Sequence, residues 1–274
     1  MNAMETLTNY SLGVIDSGVG GLSVVKAIRE VFPNQNVVYV ADPANFPYGE
    51  KTKEELLSLV FPIIEYLAKV ERIRALVIAC GTLSSVCFEE FCRTYPIPIF
   101  DIVQPAVKRA ASSTLKKRVG VLATSTTVRS KRFTKLFKDL DSSIEVYEEA
   151  WSDFIEEVEK GVFDTPCWRK EIKVRLERFK SFGVDTLILG CTHFALIESF
   201  FEKLLENSSE LVLINPARAC TLGLQRVLKS GNTVKGDSRK GEVRCLIRGD
   251  VRHFERLLRM FVSENSCKID AFGS

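Results

Sequence analysis

The 274-residue sequence has only two histidines and no cysteine pair in a C-x-x-C spacing. Structural zinc sites are built from such ligands, so none is expected. No stretch reaches the ~20 apolar residues that a membrane-spanning helix needs. The segment Met1–Thr6 lacks the basic and apolar regions of a secretion signal. These absences predict a cytoplasmic protein that does not contact membranes.

A strong excess of either charge is also missing. The 38 Lys and Arg residues face 35 Asp and Glu residues, which leaves a formal net charge of +3. Basic runs occur only over short stretches such as 115–118 and 129–132, and runs of this length are usually solvated faces. A main role in nucleic-acid binding is therefore not expected.

Eight cysteines are present in the chain. Without a secretion signal, they favour reduced thiols over a disulfide framework. Cys80 and Cys191 stand out because each follows an apolar strand and precedes a polar pair at the start of a predicted helix. The other six are interpreted as small buried apolar side chains: Cys87, Cys92, Cys167, Cys220, Cys245 and Cys267.

Apolar strands alternate with helical segments along the first part of the chain. Strands are predicted over 12–16, 36–41 and 75–79, and helices over 22–30 and 53–70. This alternation is typical of a parallel sheet covered by helices on both faces. The fold class predicted is therefore α/β.

The strand pattern repeats later in the chain. Gly13 and Gly120 begin similar apolar segments 107 residues apart, and Cys80 and Cys191 follow similar strands 111 residues apart. Buried parallel strands look alike by chance, but the cysteine pair falls on the repeat and favours a duplication. We predict two pseudo-symmetric lobes, each a mostly parallel sheet flanked by helices, with the active site in the cleft between them. Residues 1–104 and 215–274 form the first predicted lobe, and 105–214 the second.

The Gly-rich loop after the first strand, 16–21, has three interpretations. As a dinucleotide fingerprint it fails in detail, because Gly18 and Gly20 match but Ser23 stands where the third glycine belongs. It can also be a purely structural tight turn. We favour a loop whose backbone N–H groups, with the helix start behind them, hold a small anion such as a carboxylate.

Cys80 and Cys191 are expected at the carboxyl ends of strands, where ligands bind in parallel α/β sheets. A helix N-terminus lowers a thiol pKa, so both positions favour a thiolate. Two such thiols facing each other across a cleft suit racemisation or epimerisation, because one removes an α-proton while the other supplies one. His193 is either an ordinary buried histidine or a group that polarises the Cys191 thiol.

Four motifs resemble the signatures of cofactor-independent glutamate racemases. They lie at 16–22, 47–49, 80–82 and 189–193, and the resemblance extends from about Leu12 to Phe254. It implies interconversion of L- and D-glutamate with no metal or pyridoxal cofactor. It also implies a homodimer in the bacterial cytoplasm that supplies D-glutamate for peptidoglycan precursors.

The same resemblance implies roles for individual residues. Cys80 and Cys191 would be the catalytic acid/base thiols, with Asp16 supporting the first and His193 the second. The implied substrate-binding residues are Ser17, Tyr48, Gly49, Gly81, Thr82, Thr124, Thr127, Glu159 and Thr192.

Some positions depart from the family pattern. The family's Cys-Asn-Thr reads Cys80-Gly81-Thr82 here, which removes a substrate-contacting amide but keeps the backbone N–H. The family's Ile-Asp reads Ile214-Asn215. These departures leave two alternatives beside glutamate racemisation. One is a racemase for a related amino acid such as aspartate, and the other is a weakly active family member that binds a partner such as DNA gyrase.

Overall fold

A computed structural model describes residues 11–205, 211–228, 240–262 and 267–273, so the segment Met1–Thr6, which was predicted not to be a secretion signal, lies outside the described residues. The strands are β1 Leu12–Asp16, β2 Val37–Ala41, β3 Ala75–Ile78, β4 Ile99–Asp101, β5 Arg118–Ala123, β6 Glu145–Ala150, β7 Thr186–Leu189, β8 Val212–Ile214, β9 Val243–Ile247 and β10 Cys267–Ala271. The helices are α1 Leu22–Val31, α2 Lys53–Lys69, α3 Gly81–Val86, α4 Phe88–Thr94, α5 Val103–Ser113, α6 Ser125–Ser130, α7 Arg132–Leu140, α8 Ser152–Lys160, α9 Pro166–Ser181, α10 Thr192–Leu196, α11 Glu198–Leu205, α12 Pro216–Leu228 and α13 Val251–Phe261.

The described strands form two sheets, and every pairing within them is parallel. The first sheet has the order β10-β9-β2-β1-β3-β4 and the second has the order β6-β5-β7-β8. The run β2-β1-β3-β4 thus corresponds strand for strand to β6-β5-β7-β8. The α/β fold with two similar lobes is confirmed.

The chain crosses between the two sheets twice. Strands β1 to β4 build the first sheet and β5 to β8 the second, and β9 returns to pair with β2. Gln104 and Pro105, where the first lobe was predicted to end, lie in the first turn of α5. The division at residues 104 and 215 stays a prediction.

One hydrophobic cluster joins the two lobes. It contains Val14 and Val77 from the first sheet, Val121 and Ile188 from the second, and apolar side chains of α1, α5 and α12 packed between them. Each sheet has a further cluster on its other face. Because burial of apolar area is the dominant stabilising term in folding, the shared cluster holds the two lobes together.

The six cysteines outside the cleft divide into three groups, and Cys267 alone is half-buried. Cys87, Cys220 and Cys245 are buried in the core as predicted. Cys92 and Cys167 are exposed, so their prediction as buried apolar side chains is wrong. Both lie on helices whose inner faces are filled by larger side chains.

Asn215 follows β8 at the second crossing and replaces the family's aspartate. Its Nδ2 donates to Glu198 Oε2 at 3.0 Å and to the Ala195 carbonyl, and its Oδ1 accepts from the N–H of Ala217 at 2.9 Å. An aspartate cannot donate and would face the buried Glu198 carboxylate. Asn215 therefore suits the neighbouring Glu198 carboxylate as a hydrogen-bond donor. The difference from the family pattern at this position affects the local structure after β8.

Candidate active site

Four polar residues follow neighbouring strands at the edge where the two sheets face each other. Asp16 is the last residue of β1 and Thr124 directly follows β5, while Cys80 and Cys191 each come two residues after the end of β3 or β7. Strands β1 and β3 are neighbours in the first sheet, and β5 and β7 are neighbours in the second. In each pair, the chain continues from one strand to one side of the sheet and from the other strand to the opposite side, which opens a crevice at their carboxyl ends. The residues lining the cleft are Ser17, Phe46, Pro47, Tyr48, Gly49, Cys80, Gly81, Thr82, Thr124, Ile155, Cys191, Thr192 and His193.

The cleft is closed in this structure. Cys80 and Cys191 are each 5% exposed, and the cavity between the lobes has a volume of about 20 Å³. Such a cavity holds about one water molecule. An amino acid is larger, so the lobes must separate to admit one and can then close around it.

Cys191, His193 and Glu159 form a hydrogen-bonded chain on the second-lobe side. The Cys191 sulfur lies 3.6 Å from His193 Nδ1, and His193 Nε2 donates to Glu159 Oε2 at 2.7 Å. All three side chains are buried. The arrangement orients the imidazole so that one nitrogen faces the thiol, as in nucleophile, histidine and carboxylate sets.

The pKa of His193 follows from these neighbours. Burial alone would lower the pKa, but hydrogen bonds with Cys191 and Glu159 and the charges of those groups raise it well above its usual value. These neighbours therefore favour the protonated form of the His193 imidazole beside the sulfur of Cys191. Of its two interpretations, the structure favours a group that polarises the thiol.

Cys80 has a different electrostatic setting. Burial raises the pKa of the Cys80 thiol well above its usual value, and the nearby Asp16 charge raises it further. The N–H groups of Leu83 and Thr82, at the start of α3, act in the opposite direction and are outweighed. The prediction that the helix N-terminus gives Cys80 a lowered pKa is wrong for the closed cleft.

Asp16 is fully buried behind the cleft lining, close enough to Cys80 for its charge to act on that thiol. Its Oδ2 accepts from the Thr192 hydroxyl at 3.1 Å, and its Oδ1 has no hydrogen-bond partner among the described residues. Burial raises the pKa of Asp16 to about 6, against the opposing charge of His193. A carboxyl group that titrates near neutral pH in a cleft is a candidate functional group.

We predict that Asp16→Asn stabilises the free protein in a pH-dependent way. The folded pKa of Asp16 is about 6, above the ~3.9 of an unfolded aspartate, so the fold disfavours the charged form. Protonated Asp16 therefore contributes to the free energy of unfolding of the wild type below pH ~4, and this contribution is lost as the pH rises through 6. A pKa difference of two units corresponds to about 2–3 kcal/mol in the free energy of unfolding. Because asparagine does not ionise, Asp16→Asn should keep this stability at high pH.

Urea unfolding at pH 4.5 and pH 8 measures this effect. The free energy of unfolding of Asp16→Asn should exceed that of the wild type at pH 8 and come close to it at pH 4.5. The matched control is Asp139→Asn on the exposed end of α7, which should show no such pH-dependent gain. A variant less stable than the wild type at pH 8 would contradict the prediction.

A chain of threonine hydroxyls crosses the cleft on the other side. The hydroxyls of Thr82 and Thr124 are 3.0 Å apart, and Thr124 donates to Thr127 at 2.9 Å. Thr126, which the sequence did not single out, donates to the Gly49 carbonyl at 2.6 Å. Thr127 is buried behind the cleft lining, where it orients Thr124.

Tyr48 is placed by a second residue that sequence reasoning did not assign to the site. Its hydroxyl donates to Asp42 Oδ2 at 2.8 Å, and both side chains are fully buried. Asp42 follows β2, at the same sheet edge as Asp16, and Asn45 and Arg248 also face its carboxylate. The position of Asp42 at a strand end was the available signal.

The Gly-rich loop holds a carboxylate of the protein itself. The N–H of Val19 donates to Glu159 Oε2 at 2.8 Å, and the Tyr39 hydroxyl donates to the Gly18 carbonyl. Glu159 thus binds the first lobe while it holds His193, and it lies outside the cleft lining. The space in front of Gly18, where a dinucleotide phosphate would bind, is filled by this side chain.

The structure therefore brings the predicted site residues together around one cleft between two lobes. The fold and site define a two-lobed α/β protein with a thiol from each lobe at the carboxyl ends of matching strands. The model of the family described as Asp/Glu/hydantoin racemase matches residues 12–221. The chain belongs to this racemase family.

Known proteins similar to this chain cover nearly its whole length. It is 32% identical over 256 residues to glutamate racemase 1 of Caldanaerobacter subterraneus subsp. tengcongensis, a match that covers 93% of this chain and 94% of that relative. The structure resembles a glutamate racemase isoform from Bacillus anthracis with a TM-score of 0.89, 29% identity and coverage of 97% and 98%. It also resembles glutamate racemase from Francisella tularensis in complex with D-glutamate, with a TM-score of 0.85, 26% identity and the same coverage.

In the described part of the chain, no helix is both long and apolar enough to cross a bilayer.

Proposed function

We propose that this protein is a glutamate racemase that uses Cys80 and Cys191 as its acid and base. The observation that carries the proposal is the pair of thiols, one from each lobe, that line one closed cavity. The activity is supported by the names of relatives that match over most of the chain and by the likeness to a racemase solved with D-glutamate. Cytoplasmic localisation, a homodimer and a role in peptidoglycan synthesis belong to the same proposal.

In the proposed reaction, one thiolate removes the α-proton of glutamate and becomes a thiol. The electron pair of the broken C–H bond stays on the α-carbon and its carboxylate. The thiol on the opposite face then donates its proton to the α-carbon, so the configuration inverts and that sulfur ends as a thiolate. The two thiols have exchanged protonation states, and the reverse reaction restores them.

The closed cleft supports this chemistry in two ways. His193 keeps its proton beside Cys191, which stabilises negative charge on that sulfur. The high pKa of Cys80 keeps a proton available on the other side, and a strongly basic thiolate there would match a weakly acidic C–H bond. Exclusion of water strengthens both electrostatic effects.

The substrate's charged ends have partners in the cleft lining. Backbone N–H groups lie at the starts of α3 and α10, and the hydroxyls of Ser17, Thr82, Thr124 and Thr192 line the same cavity. Such donors, fixed in a cavity without bulk water, stabilise a carboxylate on which negative charge develops. The residues thus suit a small amino acid with carboxylates at both ends.

Circular dichroism of the purified protein with D- or L-glutamate tests the activity. The optical signal of either enantiomer should decay to zero, while that of D- or L-aspartate should remain. Loss of the aspartate signal only would instead assign the protein to aspartate, and stable signals with both amino acids would reject racemisation of either.

A further inference from the structure

Four glycines of the first lobe touch the second lobe at the active site. A Cβ built on any of them would come closer than 3.0 Å to an atom across the cleft, a distance that real Cβ atoms essentially never show. The contacts are Gly18 with Glu159, Gly20 with Thr192 and His193, Gly49 with Thr124, and Gly81 with the carbonyl oxygen of Gly190.

Gly81 differs from the other three because its neighbour is backbone. A side chain such as Glu159 can rotate away, but the Gly190 carbonyl lies between β7 and Cys191 and cannot. Gly190 is itself closely surrounded, since a Cβ built on it would meet Val121 at 3.0 Å and the Leu122 carbonyl of β5 at 3.1 Å. The contact between Gly81 and Gly190 therefore limits how closely the two lobes approach.

The backbone conformation does not require glycine at position 81. Among the described residues, the glycines with positive φ are Gly161, Gly183, Gly249 and Gly273. Gly81 has the ordinary geometry of a helix start, and alanine would be the better residue for α3 by propensity alone. What excludes a side chain here is the neighbouring lobe.

We propose that Gly81 determines the closed separation of the two catalytic thiols, and that any side chain at this position holds the lobes apart and slows the reaction. Gly81 directly follows Cys80, and Gly190 directly precedes Cys191, so this one contact links the two reacting strand ends. A Cβ built on Gly81 would meet the Gly190 carbonyl oxygen at 2.4 Å. This inference rests on the proposed glutamate racemisation.

Proton transfer depends steeply on distance, and a misplacement of about 1 Å costs about a hundredfold in rate. A Cβ at position 81 would force a shift of this order at the thiols. We expect Gly81→Ala and Gly81→Asn to lower kcat about 10- to 100-fold, with a smaller change in KM because the open cleft still binds substrate.

The experiment combines kinetics with lobe closure. Racemisation of D-glutamate is followed by circular dichroism for the wild type, Gly81→Ala, Gly81→Asn and the control Gly223→Ala. Gly223 lies on α12, and among the described residues a Cβ there would meet Pro105 alone, at 4.0 Å. Small-angle X-ray scattering, without ligand and with saturating D-glutamate, measures the radius of gyration of each protein, and thermal melting confirms folding.

Both Gly81 variants should lose kcat and show a larger radius of gyration than the wild type, while Gly223→Ala should match it. A Gly81→Asn enzyme faster than the wild type would overturn the proposal, since the missing amide would then be what limits turnover. Gly81→Ala with unchanged kcat and radius would also overturn it. If the wild type does not racemise glutamate, the proposed function fails, and the ligand-free scattering comparison still decides whether Gly81 sets closure.

Discussion

Replacing either Cys80 or Cys191 by alanine is expected to abolish racemisation in both directions, by at least about a thousandfold. The reason is that inversion needs a base on one face of the α-carbon and an acid on the other. Each lobe supplies one thiol to the cavity, and the other titratable side chains that line it are Tyr48, whose hydroxyl donates to Asp42, and His193 beside Cys191. Loss of one thiol therefore removes proton transfer at one face of the α-carbon.

Each single variant should still catalyse proton exchange at one face of the α-carbon. The remaining thiol can still remove the α-proton of the enantiomer it faces and return a solvent-derived proton to the same face. In D₂O, proton NMR should show deuterium exchange of one glutamate enantiomer without inversion. Cys80→Ala and Cys191→Ala should exchange opposite enantiomers, because the two sulfurs belong to opposite lobes.

The control for thiol removal is Cys92→Ala, which changes an exposed cysteine on α4 and should leave kcat unchanged. Far-UV circular dichroism checks that all variants fold. Appreciable racemisation by either catalytic variant, or exchange of the same enantiomer by both, would contradict the opposed placement of the thiols.

The sequence was sufficient to predict where the site lies. Buried parallel strands are short apolar runs, and the first polar residue after each run marks its carboxyl end. Asp16, Cys80 and Cys191 were found in this way, and the structure places the two thiols in one cleft with Asp16 buried behind its lining. The duplicated strand order had a comparable signal in the spacing of Gly13, Gly120 and the two cysteines.

The electrostatics of the site were not predictable in the same way. A helix start beside Cys80 is visible in the sequence, but the burial that raises its pKa depends on how tightly the lobes close. The contact that limits closure joins Gly81 to Gly190, from different lobes, and neither glycine carries a local signal of it. Properties set by contacts between lobes need the three-dimensional structure.

Glu159 illustrates the same limit. The resemblance implied a substrate-binding role for Glu159, and the structure shows that its carboxylate contacts His193 and Val19 and does not line the cleft. The two partners are 34 and 140 residues away in sequence. Helical periodicity on α8 predicts a face but does not identify what that face contacts.

Replacing Glu159 by glutamine is expected to lower kcat about 10- to 100-fold. The carboxylate accepts from His193 Nε2 and from the Val19 N–H, and loss of a charged hydrogen-bond partner costs about 1.5–3 kcal/mol. Glutamine has nearly the same shape, so it removes the charge and keeps most of the packing. The matched control is Glu157→Gln on the same helix, where the carboxylate pairs with the exposed Lys160 and should not affect kcat.

The pH profile distinguishes an electrostatic role of Glu159 from a purely structural one. The carboxylate raises the pKa of His193, so Glu159→Gln should lower that pKa. If protonated His193 assists Cys191, activity falls as the pH rises through the pKa of His193. The alkaline limb of kcat/KM, measured from pH 6 to 10, should therefore move to lower pH in Glu159→Gln and stay in place in Glu157→Gln. A uniform loss of rate with an unshifted profile would mean that Glu159 only holds the loop at Val19, and would contradict a proton on His193 as part of the reaction.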